Sequence, residues 1–267
     1  MTRLRCAILD DYLNVALSVA DWSKVQDRVD ITVFNQPFAT AETAANALKD
    51  FEIICAMRER TPFPRTMFAS LPNLKLMITS GMRNAAIDME AAKDHQVTLC
   101  GTQWGRDPTA PLTMGLILEL TRNIGRENAR MHAGEPLQKF VGMEIEGRTL
   151  GVIGLGAIGV EVANSALGLG MKVLGYDPQI TVQRAWQLSS SVEQALSLDD
   201  LFVRSDIISV HVPLTPDTRG LVNEARLKLM RKNGVILNFA RAPIVPNAAR
   251  VRIQAGTPVA TSPFTRE

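Results

Sequence analysis

The segment Thr149-Leu150-Gly151-Val152-Ile153-Gly154-Leu155-Gly156-Ala157-Ile158-Gly159 leaves the chain few folds to choose from. It sets a G-x-G-x-x-G directly behind a short apolar run and at the start of a stretch of helical period, so a strand must turn sharply into a helix. In that setting the first glycine permits the tight turn, the second lets backbone approach a pyrophosphate, and the third brings helix against strand. The anion rests on the unpaired N–H groups of the helix N-terminus. The next apolar run, Lys172–Tyr176, ends at Asp177, 21 residues after Gly156. A carboxylate there accepts hydrogen bonds from an adenosine ribose and repels a 2′-phosphate. The pattern predicts a dinucleotide-binding domain that takes NAD in preference to NADP, with FAD as the alternative it leaves open.

The same rhythm runs through most of the chain. Short β-branched or apolar runs alternate with helical stretches, the sequence form of βα units around a mainly parallel sheet. Strands are expected at Leu4–Leu9, Ile31–Phe34, Phe51–Ala56, Leu74–Thr79 and Val97–Leu99, with helices between them. Next, Leu112, Leu116, Leu120 and Ile124 recur every four residues behind Pro111, which suits a first helical turn and predicts a long connecting helix, Pro111–Ile124. A second series follows: strands Thr149–Ile153, Lys172–Tyr176, Asp206–Val210 and Gly234–Asn238, and helices Ile158–Leu169, Asn223–Met230 and Pro246–Gln254. Ala185–Leu198 fits neither period. At 267 residues the chain accommodates two domains. They are expected at 1–105 and 106–267: a smaller flavodoxin-like α/β domain, then a doubly wound parallel sheet of the Rossmann kind.

Charge narrows the partners. Twenty-nine lysines and arginines against 27 acids leave a net charge of +2 without a basic stripe, which argues against nucleic acid. Asp10 and Asp11 stand where a signal peptide needs apolar residues, and no run approaches the length of a membrane span. Cys6, Cys55 and Cys100 are an odd number, widely spaced, with no histidine at metal-ligand intervals. Each is expected to be a small buried hydrophobe. Together these features predict a soluble, cytoplasmic, metal-free protein.

Several blocks carry a resemblance. They are Glu146-Gly147-Arg148-Thr149-Leu150-Gly151-Val152-Ile153-Gly154-Leu155-Gly156, His211-Val212-Pro213-Leu214-Thr215-Pro216, Thr218-Arg219-Gly220-Leu221 and Asn238-Phe239-Ala240-Arg241, with Ser80-Gly81-Met82-Arg83-Asn84-Ala85-Ala86-Ile87-Asp88 in the N-terminal half. In these blocks the chain resembles the NAD-dependent D-2-hydroxyacid dehydrogenases, the family that includes D-3-phosphoglycerate dehydrogenase. The resemblance implies a substrate domain and a Rossmann domain with the active site in the cleft between them. It implies that backbone around Gly81, Met82 and Arg83 cradles the substrate carboxylate and that Arg241 clamps it with a forked guanidinium. It further places Ala157 and Ile158 against the pyrophosphate, His211, Val212 and Pro213 on the adenine side, and Phe239 and Ala240 along the nicotinamide. Family members pair through the region of the long helix, which implies a homodimer. Independently of family, Arg241 stands beyond the carboxyl end of an expected strand, where open α/β sheets bind ligands. Since arginine stays protonated, its role there is electrostatic.

The family's acid–base histidine and its orienting glutamate both follow the arginine. Here His95, His132 and His211 all precede Arg241, and each is expected to be structural. Glu267 closes Ser262-Pro263-Phe264-Thr265-Arg266-Glu267, an echo of the family segment that ends on the catalytic glutamate. From Val245 onward the match is poor, and the helix that returns to the substrate domain is not expected. Arg58, Glu59 and Arg60 follow the strand Phe51–Ala56. An arginine pair there, facing Arg83 and Arg241, suits a small 2-hydroxy or 2-oxo acid with a second anionic group, such as 3-phosphoglycerate; the alternative is a solvated charge run. Two functions compete: a hydride transfer between NAD and a D-2-hydroxy acid, and NAD binding by a regulatory or degenerate relative without turnover.

Overall fold

The computed structural model describes residues 3–82, 84–103, 108–135, 137–246 and 259–261. The chain divides into two compact units, Met1–Arg106 and Asp107–Glu267.

In the first unit, strands β1 (Leu4–Ile8), β2 (Val29–Val33), β3 (Ile53–Ala56), β4 (Leu76–Thr79) and β5 (Thr98–Gly101) form a parallel sheet of order β2-β1-β3-β4-β5. This is the flavodoxin-like order. Helices α1 (Ala41–Leu48), α2 (Arg65–Ala69) and α3 (Met89–Asp94) connect the later strands. Strand residues alternate between faces, so Ala7, Ile54 and Met77 meet Leu48, Phe68 and Ala91 in one continuous core. On the opposite face Ile53, Cys55, Leu76 and Ile78 are only half-buried.

Two expectations need correction here. No helix joins β1 to β2: Asp11 binds the N–H groups of Val15 and Ala16 at 3.1 and 2.8 Å, and Trp22 Nε1 donates to the Ala16 carbonyl at 2.9 Å. Such local bonds hold the segment in successive turns instead of a helix. Cys100 is exposed, because β5 lies at the sheet edge and pairs only with β4. Cys6 is buried, and its Sγ lies 4.0 Å from that of half-buried Cys55, a contact that together with burial pushes the Cys6 thiol pKa up.

The second unit opens with α4 (Thr109–Arg122), which begins two residues before the expected Pro111–Ile124 and stops at Arg122, because Asn123 turns left-handed at φ 54° and ends it. Ile124 then starts a separate helix, α5 (Ile124–His132), which was not among the expected elements. There follow β6 (Thr149–Ile153), α6 (Ala157–Gly168), β7 (Lys172–Tyr176), α7 (Val182–Gln187), β8 (Val192–Gln194), α8 (Leu198–Arg204), β9 (Ile207–Val210), α9 (Glu224–Leu229), β10 (Val235–Asn238), a 3₁₀ turn (Ala242–Ile244) and β11 (Val259–Thr261). The ambiguous stretch thus holds the end of α7, all of β8 and the first residue of α8. The expected helix Pro246–Gln254 lies outside the described residues apart from Pro246.

The strand order is β11-β10-β9-β6-β7-β8, all parallel. That is the doubly wound Rossmann order. One face packs Leu150, Val152 and Leu237 with Ile117 of α4 and Ala163 of α6, and the other packs Ile153, Ile208 and Ile236 with Leu201 and Phe202 of α8. At the amino edge of this sheet Asp206 accepts the Thr149 N–H at 2.9 Å and Arg231 Nη1 at 2.6 Å, with Arg148 at 3.7 Å.

Candidate active site

At the carboxyl edge of the Rossmann sheet, four strand ends supply a continuous set of loops. Gly154 leaves β6 at φ +92°, a conformation side chains rarely adopt. A Cβ there would also press on Val212 Cγ1 and the Val212 nitrogen at 2.8 and 3.0 Å. A Cβ on Gly159 would collide with the Gly154 carbonyl oxygen. Around Gly156, by contrast, nothing lies within 4 Å of a built Cβ, and Gly156 caps α6 without a side-chain hydrogen bond. Gly156 and Ala157 are exposed and Ile158 half-buried. An open backbone turn leading into helical N–H groups is the environment a pyrophosphate requires, so these residues fit the diphosphate of a dinucleotide.

Asp177, just past β7, is tied into the same loop. Its Oδ2 accepts the Leu155 N–H at 2.8 Å and its Oδ1 the Gln179 N–H at 2.9 Å. Each oxygen keeps lone-pair capacity for a ribose hydroxyl, since a carboxylate has about four acceptor sites. The spacing predicts Asp177 as a ribose ligand but gives no sign that it braces the glycine loop.

His211 follows β9, and its N–H donates to the Ile153 carbonyl at 2.8 Å. Its Nε2 stands 2.8 Å from Ser209 Oγ, and its ring stacks on Phe239 with centroids 5.8 Å apart and planes 6° off parallel. The residues assigned to the adenine side and the nicotinamide side are therefore direct neighbours. Val212 is half-buried against Gly154, Pro213 is exposed, and Ala240 is half-buried beside Phe239. Arg241 is exposed at the end of this row, with Nη1 3.1 Å from the Ala240 carbonyl.

The first unit has its own carboxyl-edge network. Arg58 has φ +53° and its N–H donates to Ser80 Oγ at 2.9 Å; Asn84 Nδ2 donates to the Arg58 carbonyl at 2.5 Å and to Thr79 Oγ1 at 2.9 Å. A left-handed non-glycine residue is strained and persists only where its neighbours hold it. The Arg58 side chain lies 3.9 Å from Glu59. Gly81 donates its N–H to Thr102 Oγ1 at 2.9 Å, so a carboxylate cradle here depends on the amides that follow; Met82 is exposed.

Arg60 behaves differently from Arg58. Its guanidinium lies 4.6 Å over the Tyr12 ring, and Nη1 donates to the Asp10 carbonyl at 2.6 Å. The buried Asp10 carboxylate accepts Tyr12 OH at 3.0 Å and Thr61 Oγ1 at 2.8 Å. Residue spacing does not foretell this cluster of Asp10, Tyr12 and Arg60, although an Asp-Asp-Tyr directly behind a first strand is the available signal. Arg83 and Glu267 lie outside the described residues. Among those described, no helix is long and apolar enough to cross a membrane.

A Rossmann sheet with an open glycine loop, a carboxylate braced at the end of its second strand and a row of strand-end residues defines a dinucleotide-binding α/β protein. A family model described as the NAD binding domain of D-isomer specific 2-hydroxyacid dehydrogenases matches residues 114–255. The chain is 36% identical over 212 residues to D-3-phosphoglycerate dehydrogenase of Methanocaldococcus jannaschii, covering 79% of this chain and 40% of that protein. It is 34% identical over 198 residues to hydroxypyruvate reductase of Thermotoga maritima, covering 73% of this chain and 63% of the relative. Among solved structures, phosphoglycerate oxidoreductase of Vibrio cholerae O395 superposes with a TM-score of 0.88 at 31% identity, over 97% of this chain and 83% of that one. The chain belongs to the D-isomer specific 2-hydroxyacid dehydrogenase family, and its cofactor is NAD. It spans less than two thirds of the length of these two curated relatives.

Proposed function

We propose that the protein interconverts a D-2-hydroxy acid and its 2-oxo acid with NAD, on a substrate carrying a second anionic group, 3-phosphoglycerate being the example that suits the arginines. The observation that carries this reading is Arg241, an exposed guanidinium at the carboxyl edge of the sheet that bears the glycine loop. When bound, NAD supplies the hydride acceptor. Arg241 holds the substrate carboxylate through two parallel N–H···O bonds, which fixes its plane and orientation. Residues 1–105 act as the substrate domain in this reading, with backbone at Gly81 and Met82 on the carboxylate and Arg58 on the second anion. Residues 106–267 carry the cofactor, and the reaction takes place in the cytoplasm.

Arg241→Lys keeps the charge and loses the fork. Calorimetric titration of oxalate, a 2-oxo acid mimic, into the NADH-bound protein is expected to show binding weakened by about 1–2 kcal/mol. Unchanged binding would remove Arg241 from the site.

A second reading, NAD binding without turnover, is favoured by the contacts of the histidines. His95 stacks on Phe68 at 6.3 Å, His132 Nδ1 lies 2.9 Å from the Asn128 carbonyl, and His211 is engaged by Ser209 and Phe239.

The assembly that suits this chain is a homodimer. Much of the α4 stripe is already used inside its own unit, with Met114 and Ile117 buried, but apolar exposure continues at Leu112, Ile124, Met131 and Leu137 and reaches 98% at Val141. Such a surface is covered by self-association. Light scattering is expected to give a dimer mass at micromolar concentration and a monomer mass for Met131→Lys/Val141→Asp; a monomeric wild type contradicts the assignment.

A further inference from the structure

Asn238, the last residue of β10, is fully buried and hydrogen-bonds forward onto the residues that follow it. Its Nδ2 donates to the Arg241 carbonyl at 2.9 Å, and its Oδ1 accepts the Ala240 N–H at 3.0 Å. Those partners fix the amide orientation, since a carbonyl needs the NH₂ and an N–H needs the oxygen. The Arg241 carbonyl also accepts the Ile244 N–H at 3.1 Å, closing the 3₁₀ turn. Arg241 itself is extended, at φ −138° and ψ 145°, and exposed. An exposed arginine on a loop has many rotamers, and anchoring its backbone decides where the guanidinium fork starts.

We infer that Asn238 is the positioning residue for Arg241: its amide fastens the Ala240–Arg241 turn to the buried strand end and thereby aims the guanidinium at the substrate carboxylate. This rests on the reading of Arg241 as the carboxylate clamp. The carboxamide is specifically required. Aspartate has nearly the same shape and still accepts the Ala240 N–H, but it turns a second oxygen toward the Arg241 carbonyl, replacing attraction with repulsion. Loss of one buried hydrogen bond together with that repulsion is expected to weaken carboxylate binding about tenfold.

The test is titration of oxalate into the NADH-bound 267-residue protein, as wild type, Asn238→Asp, Asn238→Ala and Arg241→Ala. Asn238→Asp is expected to bind oxalate about tenfold more weakly at about pH 7.5, with NADH affinity within about twofold of wild type. At about pH 5.5 its buried carboxyl, raised by desolvation, takes up a proton, regains an O–H donor for the Arg241 carbonyl and recovers oxalate affinity. The charged and titratable groups beside it are Arg241 in the same turn and His211, which stacks on the adjoining Phe239. Both are present in the wild type, which run in parallel separates their effect. Wild-type oxalate affinity in Asn238→Asp, an unchanged defect at the lower pH, or an equal fall in NADH affinity overturns the inference. Asn238→Ala removes both bonds without adding charge and carries the test if the aspartate variant does not fold. It is expected to bind oxalate weakly at both pH values, and wild-type affinity overturns the inference. Arg241→Ala is expected to abolish oxalate binding; if it binds normally, the reading of Arg241 fails first, and the inference with it.

Discussion

Given saturating NAD with D-3-phosphoglycerate, D-lactate or D-glycerate, the 267-residue chain is expected to form NADH on the order of 10²–10⁴-fold more slowly than an enzyme with its acid–base group in place. Hydride transfer from an alcohol carbon requires a partner for the hydroxyl proton, and histidine is the usual one. The three histidines present are occupied by packing and hydrogen bonds: His95 on Phe68, His132 on the Asn128 carbonyl, His211 between Ser209 and Phe239. The residues proposed to position substrate and cofactor are present, so binding is expected to survive where proton transfer is slow. Residual activity is expected to rise with pH, as hydroxide takes the proton through water. Absorbance of NADH across neutral to alkaline pH decides the matter. A turnover of roughly 1–10³ per second would show that a histidine does serve as base, with His211 and His132 the first to substitute.

Asp177→Ala is expected to lower NAD affinity on the order of 10²-fold or more, beyond what one ribose contact accounts for. The carboxylate holds the Leu155 N–H inside the glycine loop in addition to its proposed ribose contact, and hydrogen bonds to a charged group contribute about 1.5–3 kcal/mol each. Removing it loosens the turn that receives the pyrophosphate, so NADP gains less from the loss of repulsion than it loses in loop geometry. Calorimetry on both cofactors is expected to show NAD strongly preferred by the wild type, and weak binding of both, with a narrower gap, by the variant. Equal affinities of the wild type for the two cofactors would refute the role of Asp177.

The Rossmann half was legible because its signals are local. A glycine triplet has to sit between strand and helix, and β6, α6, β7, β9 and β10 fall within a residue or two of the expected positions. Signals were weaker wherever structure depends on side chains bonding to distant or nearby backbone. Asp11 and Trp22 bond to Val15 and Ala16 in a run of turns that no periodicity reports, and Asn123 ends α4 two residues before the expected helix end. Strand β8, three residues long, carries too little pattern to be seen. For the site, residue types marked Asp177, Arg241 and the glycines. Residues that act by anchoring others, such as Asn238 and Thr102, became visible only through their partners. The Asp10, Tyr12 and Arg60 cluster was hidden for the same reason: Arg60 contacts Asp10 across 50 residues of chain.

The two edges of the Rossmann sheet divide their work cleanly. At its amino edge one carboxylate, Asp206, binds the start of β6 from 57 positions away and gathers Arg148 and Arg231 around itself. Everything assigned to ligand binding in this unit lies at the other edge. Substitutions near Asp206 are therefore expected to act on how much folded protein a cell retains, and those near Arg241, in the role proposed for it, on what the folded protein recognises. A lineage can alter specificity at the carboxyl edge and recover the lost stability at the amino edge, with the rigid strands keeping the two kinds of change nearly independent.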